Sequence, residues 1–137
     1  MVLYFHTRKL ILFSVKTRKE VLFNLTLRSL ESLMRYRINL SLKKEIEDIA
    51  ITCKYNNKVI AWALIYNKNK IMVYVKPEFR KKGIGKKLLT KCQSYLKKHK
   101  EEKCLVAPWN NVSDSFYNKI SFKYKKTNTV FCMEKEL

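Results

Sequence analysis

The chain has 137 residues, the length of one domain and enough to bury roughly two-thirds of its surface. Hydrophobic residues make up 47% of it, which is ordinary for a globular protein. The 30 basic and 11 acidic residues give a net charge of +19. This charge favours polyanionic partners, with nucleic acid first and an anionic membrane surface second. Solubilising lysines scattered over the surface would give the same count, so both interpretations stay open.

The cysteines and histidines predict neither disulfides nor a metal site. No Cys-x-x-Cys spacing occurs, and His6 and His99 stand apart from the cysteines and from each other. We expect four reduced, mostly buried thiols. The cysteines are Cys53, Cys92, Cys104 and Cys132. The apolar residues 1–15 are interrupted by charges and are too short to span a membrane, so we expect a soluble cytoplasmic protein without a membrane partner.

The first fifty residues predict a strand and two helices. Val2 to Phe5 is the strand, and Leu10 to Val15 is an apolar run of ambiguous type. Apolar residues recur with helical spacing between Thr17 and Arg37. Ser41 suits the N-cap of a second, short helix that continues through Ile49.

The period changes after residue 50, where three short strands follow one another. We predict strands at Ile51 to Tyr55, Val59 to Tyr66 and Ile71 to Val75. Asn56-Asn57 and the segment Asn67 to Lys70 are the turns between them. The three strands therefore form an antiparallel meander.

Both glycines of the chain, Gly83 and Gly85, lie between the third of these strands and a helix. We predict that the helix begins at Lys86 and ends at about Lys98. Its apolar face consists of Ile84, Leu88, Leu89, Cys92 and Leu96. Such a turn suits a phosphate or pyrophosphate, because its N–H groups converge and the helix adds its positive end.

The residues around these glycines exclude two common phosphate motifs. Arg80 stands where a P-loop needs its first glycine, and Leu88 stands where the dinucleotide fingerprint needs its third. Arg80, Lys81 and Lys82 raise the local positive potential. A tight turn with a solvated basic rim is the plain alternative, and the glycines alone do not decide between the two.

The C-terminal third predicts a parallel strand, a short helix and a hairpin. Cys104 to Ala107 is apolar and follows a helical crossover, so we expect it parallel to Ile71 to Val75. A short helix carrying Tyr117 follows. Phe122 to Tyr124 and Thr129 to Met133 form the hairpin.

Two motifs together carry a resemblance to a known family. The first is Arg80-x-x-Gly83-x-Gly85 after Pro-Glu-Phe, which resembles the acetyl-CoA signature of the GNAT superfamily of N-acetyltransferases. The second is Asn110, then Tyr117 seven residues on, closed by Phe122. The resemblance is good from residue 59 to residue 137 and poor before that. Ser121 replaces the usual glycine before the phenylalanine, which puts the placement of Tyr117 in doubt.

The resemblance implies an α/β fold. It implies a mixed, mostly antiparallel central sheet of about six or seven strands, flanked by about four helices. Residues 1–137 would form a single N-acetyltransferase domain. Within it, residues 1–50 would be the acceptor side and residues 51–137 the acetyl-CoA-binding core.

The resemblance also implies roles for individual residues. Tyr117 would be the general acid that protonates the leaving thiolate, although by itself it suits a core aromatic equally well. Asn110 would orient the cofactor. The main chain of the strand before the turn would pair with the pantetheine arm and that of the turn with the pyrophosphate. These cofactor-binding residues are Val73, Tyr74, Val75, Arg80, Lys81, Lys82, Gly83, Ile84, Gly85 and Lys86.

The sequence identifies no general base. Glu78 lies in the turn, whereas Glu45, Glu47 and Asp48 lie in the predicted second helix, near the expected acceptor entrance. Each suits an ordinary surface charge, and a water chain or an amine that is already neutral would serve instead.

The function implied is direct acetyl transfer from acetyl-CoA to an amine. The charge of +19 suits an anionic acceptor, such as tRNA or its charged amino acid, DNA, or a nucleic-acid-bound protein. A protein amine or a small amine fits the motifs equally well. A catalytically silent protein of the same fold that binds nucleic acid or a protein partner through its basic surface is the alternative. The family allows a homodimer.

Overall fold

The computed structural model describes residues 1–9, 12–14, 16–17, 21, 48–66, 68–106, 116–120, 122–125 and 132–137. These residues contain seven strands and one complete α-helix. The strands are β1 (Tyr4–Lys9), β2 (Ile49–Tyr55), β3 (Lys58–Tyr66), β4 (Lys70–Val75), β5 (Lys103–Val106), β6 (Lys123–Lys125) and β7 (Cys132–Glu136). The helix is α1 (Ile84–Lys98), and a 3₁₀ turn (Pro77–Phe79) precedes it.

The strands form one mixed sheet in the order β1-β2-β3-β4-β5-β7-β6. β4 and β5 are parallel, and every other neighbouring pair is antiparallel. A parallel pair needs a crossover connection, and α1 supplies it. The predicted mixed, mostly antiparallel sheet is therefore confirmed, as is the parallel placement of β5 beside β4.

The hairpin of β2 and β3 has the predicted turn. Asn56 and Asn57 both have positive φ, 49° and 62°, and connect Tyr55 to its cross-strand partner Lys58. Positive φ at both central residues is the geometry of the two-residue turns that suit the twist of a hairpin, and asparagine tolerates it.

Both faces of the sheet are buried at its centre. The face under α1 packs against five fully buried helix residues, which are Ile84, Leu88, Leu89, Cys92 and Leu96. These are the residues of the predicted apolar face. The opposite face carries a second cluster around Trp62, Leu64 and Tyr74. β3 is therefore buried on both sides, which explains its nearly continuous apolar sequence.

Some boundaries differ from those predicted. β1 begins at Tyr4 and extends to Lys9, beyond the predicted end at Phe5. Ile49 belongs to β2 rather than to a helix, because it pairs with Ile65 in the sheet. The terminal hairpin is confirmed, with its strands shifted to Lys123–Lys125 and Cys132–Glu136.

Helix α1 begins at Ile84, two residues before the predicted Lys86. Its N-cap is Gly83, so Gly85 lies within the first turn. The two predicted N-terminal helices lie outside the described residues, except that residues 16, 17 and 21 are helical. The number of flanking helices stays a prediction. Within the described ranges, no helix is long and apolar enough to cross a membrane.

Candidate cofactor and catalytic site

The candidate site begins where β4 and β5 part. The two strands pair only at Lys70 with Leu105 and at Ile71 with Val106. β4 continues to Val75, and on its β5 side residues 72–75 have no partner strand among the described residues. A gap between parallel strands leaves main-chain donors and acceptors for a ligand.

Two hydrogen bonds fix which main-chain groups face this gap. Leu105 N donates to Asn69 O (3.0 Å), and on the other side Lys76 N donates to Ile60 O (2.9 Å). Main-chain groups alternate sides along a strand, so the odd-numbered residues of β4 point towards β5. The main chains of Val73 and Val75 therefore face the gap, whereas that of Tyr74 faces β3.

Arg80 connects the glycine turn to the end of β4. Its Nε donates a 2.8 Å hydrogen bond to Val75 O. Its Cζ lies 5.9 Å from the centre of the Tyr74 ring, within range of a cation–π contact. Arg80 N donates to Pro77 O at 3.3 Å. The exposed guanidinium thus secures the turn against the strand that it follows.

The backbone of the turn has two left-handed residues, Lys81 (φ 61°) and Gly83 (φ 79°). Gly83 is the N-cap of α1 and offers no side chain to the free N–H groups. The first turn of α1 contains no acidic residue. Lys87 N donates to the N-cap oxygen, Gly83 O, at 3.1 Å. The N–H groups just before Lys87 lie at the start of the helix and therefore have no partner inside it.

The side chains at this end of α1 separate into two roles. Lys81, Lys82 and Lys86 are exposed around the free N–H groups and add positive charge. Ile84 is buried in the core, so only its main chain can contribute to binding. Positive charge and unpaired N–H groups at a helix N-terminus suit a phosphate. The residues therefore fit the pyrophosphate of a CoA-type cofactor.

Three distant segments meet at Gly85. A Cβ atom placed there would lie 3.5 Å from Phe116 Cζ and 3.7 Å from Val75 Cγ2. The start of α1, the end of β4 and the helical residues 116–119 are therefore in contact. Phe116 was not predicted as a site residue, because nothing in its spacing distinguishes it from a core aromatic.

Tyr117 lies beside this contact and is buried, with 4% of its surface exposed. Its ring packs edge-on against Phe116 and Phe122, with centroids 5.3 and 5.5 Å away. Burial raises the pKa of Tyr117 above its usual value, and the nearby Cys92 and Tyr66 raise it further. The phenol therefore keeps its proton at neutral pH, as a general acid must.

Burial disfavours ionisation of three cysteines of the chain. Burial raises the pKa of Cys104 to about 11, although Lys135 opposes the shift. Burial also raises the pKa of Cys92, and Cys104 adds to that effect. The pKa of Cys53 is raised by burial and lowered to a smaller extent by Lys87. A thiol must ionise to attack a thioester, so these three favour transfer without a covalent enzyme intermediate.

The other residues considered for catalysis or cofactor binding lie either outside the described residues or at one of the two ends of the sheet. Asn110, Ser121, Glu45 and Glu47 lie outside the described residues. Glu78 is exposed in the 3₁₀ turn, at the end of β4 where the gap opens. Asp48 is buried at the other end of the sheet, directly before β2.

The family model described as the acetyltransferase (GNAT) family matches residues 20–122. The chain belongs to this family. A spermidine N(1)-acetyltransferase from Thermoplasma acidophilum is 39% identical over 77 residues. That match covers 53% of this chain and 48% of the relative, so the chain spans about half of the relative's length.

Solved structures show the same fold over nearly the whole chain. The PaiA N-acetyltransferase of T. acidophilum, solved in complex with coenzyme A, matches with a TM-score of 0.68 at 21% identity. A GNAT-family acetyltransferase from Staphylococcus aureus Mu50 matches with a TM-score of 0.73 at 12% identity. Each match covers 98% of this chain and 99% of the other.

Proposed function

We propose that this chain is an acetyl-CoA-dependent N-acetyltransferase that transfers the acetyl group directly to an amine. One observation carries the proposal: the uncapped start of α1, the unpaired edge of β4 and the helical turn with Tyr117 meet around Gly85. In this proposal they would provide a phosphate site, a slot for the pantetheine arm and the helical turn that carries the proton donor.

In this proposal, the main chain from Arg80 to Lys86 would hold the pyrophosphate. The main chains of Val73 and Val75 would pair with the amides of the pantetheine arm, and Asn110 would help to orient it. Since Val75 O already accepts from Arg80, the free groups are the Val75 N–H and both groups of Val73. Tyr74 would contribute through packing, because its side chain stacks on Trp62 (5.8 Å between centroids) on the opposite face.

The bound thioester supplies an activated acetyl group, and the chain supplies alignment and a proton. The attacking amine must be neutral, and the sulfur that leaves must not remain an unstabilised thiolate. Tyr117 Oη holds a proton that the leaving sulfur would receive. The proton released by the amine would pass to Glu78 or to solvent, because Asp48 is buried at the other end of the sheet.

The acceptor, in this proposal, is an amine carried by a polyanion, such as an aminoacyl-tRNA or another nucleic-acid-linked amine. The support is the net charge of +19, which would draw a nucleic acid towards the site. A free polyamine, the substrate named for the T. acidophilum relative, is a cation that the same charge would repel. Spermidine therefore serves as the contrasting acceptor in the test.

The proposal is tested by incubating the purified protein with labelled acetyl-CoA and a cell lysate, with and without nuclease. We expect acid-insoluble label that nuclease releases, and little label on spermidine supplied alone. Label on spermidine or on protein would leave the acetyltransferase in place and refute the nucleic-acid-linked acceptor. Binding of acetyl-CoA without any transfer would favour the alternative, a catalytically silent protein that acts through its basic surface.

Cofactor binding has its own matched pair of variants. Gly85→Glu would place a carboxylate between Phe116 and Val75, where a phosphate-bearing ligand passes, and we expect no measurable acetyl-CoA binding. Gly85→Ala adds only a Cβ at ordinary contact distances, so it should bind acetyl-CoA as the unchanged protein does. Normal binding by a folded Gly85→Glu variant would remove the phosphate site from the proposal.

A further inference from the structure

The outer face of α1 is a strongly cationic surface that extends well beyond the cofactor site. From residue 79 to residue 100 the sequence contains Arg80, eight lysines and no acidic residue. The exposed residues of the helix are Lys86, Lys87, Thr90, Lys91, Ser94, Lys97 and Lys98. A cofactor bound at the N-terminus of α1 would meet only the first of these charges.

Three of the lysines form one flank of the helix, here called the lysine row: Lys87, Lys91 and Lys98. At 1.5 Å per residue, the row is about 16 Å long. Lys91 Nζ lies 5.0 Å from the centre of the Phe5 ring, so this flank faces β1. The ion pairs found among the described residues, Lys68 with Glu101 and Lys103 with Glu134, do not involve the row.

An exposed aromatic ring lies at the end of the row. His99 directly follows Lys98 and stacks on Tyr95, with centroids 4.1 Å apart and an interplanar angle of 22°. His99 Nδ1 lies 2.9 Å from Tyr95 O, which fixes the ring. Tyr95 is half-buried against the core, while His99 is exposed. One face of the fixed imidazole is therefore covered by Tyr95, which leaves the other for a planar ligand.

The exposed side chains of α1 indicate which kind of polyanion would bind there. A membrane-binding helix inserts an apolar face, but the apolar residues of α1 are 0–2% exposed in the core. Its exposed face carries only lysines and hydroxyl side chains. An acidic protein segment would use the charges but has no reason to meet a fixed flat ring. A single-stranded nucleic acid combines regularly spaced phosphates with bases that stack on aromatic rings.

We infer that the lysine row and His99 form a binding surface for single-stranded RNA or DNA, with phosphates on the lysines and a base on the imidazole. This surface would bind the nucleic acid that carries the acceptor amine proposed above. Its biological role therefore rests on the proposed function. The surface itself rests on the charges and stacking of α1. It lies one helical turn from the cofactor cradle, since Lys87 N bonds to Gly83 O.

The test measures the affinity of the full chain for a labelled single-stranded oligonucleotide across a series of salt concentrations. The row variant is the triple substitution Lys87→Gln, Lys91→Gln and Lys98→Gln. Its control is the triple substitution Lys58→Gln, Lys68→Gln and Lys70→Gln, which removes the same charge from exposed positions elsewhere. A third variant, His99→Ala, removes the ring and leaves the lysines.

We expect the row variant to bind about tenfold or more weakly and its salt dependence to flatten by about 2 in log–log slope, near 0.7 for each lost contact. The control triple should keep its slope. His99→Ala should weaken binding roughly fivefold or more with the slope unchanged, because stacking releases no counterions. Equal losses in the two triples would overturn the inference, because net charge would then account for binding.

Two further outcomes would also overturn it. Displacement of the oligonucleotide by saturating CoA would place binding in the cradle, and tighter binding of phosphatidylserine vesicles or polyglutamate would assign the row to another partner. Acetyl-CoA affinity of the same variants separates the two proposals. A row variant that binds acetyl-CoA normally but not the oligonucleotide supports the surface, whereas a chain that binds oligonucleotide but not acetyl-CoA refutes only the proposed function.

Discussion

Arg80 Nε donates a 2.8 Å hydrogen bond to the main-chain oxygen of Val75, the last residue of β4. The bond joins the turn that would hold the pyrophosphate to the strand that would hold the pantetheine arm. It also occupies one of the acceptors that face the gap. In the proposed site, Arg80 would therefore act mainly through geometry, by fixing the distance between the turn and the end of β4.

Arg80→Lys should weaken acetyl-CoA binding by roughly fivefold, although the charge is kept. A lysine cannot present a guanidinium Nε to Val75 O, and a hydrogen bond of this kind contributes about 1 kcal/mol. Lys82→Gln is the control, because it removes a charge from the same turn without touching β4. Calorimetric titration measures both. If Lys82→Gln binds more weakly than Arg80→Lys, charge rather than geometry is the contribution of Arg80.

The two glycines should respond differently to alanine. Gly83 has φ +79°, a conformation that costs a residue with a side chain about 1–2 kcal/mol, so Gly83→Ala should lower the free energy of unfolding by that amount. Gly85 lies in the first turn of α1 with room for a Cβ, so Gly85→Ala should be neutral or slightly stabilising. Urea unfolding measures both. Equal destabilisation by the two substitutions would contradict this assignment.

Two buried polar groups at the second core cluster lower the stability of the fold. Thr52 and Trp62 face each other across β2 and β3, both fully buried, and neither Thr52 Oγ1 nor Trp62 Nε1 has a hydrogen-bond partner. Thr52→Val replaces the unpaired hydroxyl with a methyl group of similar size. We expect it to raise the free energy of unfolding by about 1 kcal/mol.

A buried threonine that is satisfied provides the control for Thr52. Thr17 Oγ1 accepts from Lys54 Nζ and from Ser14 Oγ, each at 3.0 Å. Thr17→Val leaves those donors without their acceptor and should lower the free energy of unfolding by about 1 kcal/mol. The same sign for both variants would mean that Thr52 has a partner, such as a buried water.

The spacing of apolar residues predicted most of the sheet and of α1, because the strand period and the helix period are both clear in this sequence. The five apolar positions of α1 recur at helical spacing and are the five buried ones. Ile49 was misplaced because an isolated isoleucine suits either structure, and only its pairing with Ile65, sixteen positions along the chain, decides it. The start of α1 was misplaced because Gly85 disfavours a helix locally, while the left-handed Gly83 sets the true boundary.

The site was predictable to the level of segments but not of contacts. The spacing of Arg80, Gly83 and Gly85 located the phosphate turn. The bond from Arg80 to Val75 depends on the 3₁₀ turn between them, and the approach of Phe116 to Gly85 depends on tertiary packing. Neither leaves a periodic signal in the sequence.

Tyr117→Phe should lower kcat about a hundredfold, the usual contribution of a general acid, while acetyl-CoA affinity stays within about twofold. The buried ring packs in the same way without its hydroxyl, so the fold should be kept. Because the pKa of Tyr117 is raised, the phenol keeps its proton well into alkaline conditions, and loss of rate above neutral pH cannot come from its ionisation. An unchanged kcat would leave Tyr117 with a packing role only.

Cys104 should make the protein less stable in alkaline solution. Burial raises the pKa of this thiol from 9.0 to about 11 in the folded state, so the folded protein holds the proton more tightly than the unfolded chain. Its contribution is complete below about pH 9 and is lost as the pH rises towards 11, which amounts to about 1 kcal/mol between pH 8 and pH 10. Cys92 and Tyr117, whose pKa values are also raised, act in the same direction.

Denaturant titrations of Cys104→Ala at several pH values isolate this contribution. The variant loses some packing at every pH, but its stability should decline less steeply between about pH 8 and pH 10. Lys135→Gln provides the opposite change, because Lys135 lowers the pKa of Cys104, and its loss should extend the decline to higher pH. A Cys104→Ala slope equal to that of the unchanged protein would mean that the thiol ionises as easily in the fold as outside it.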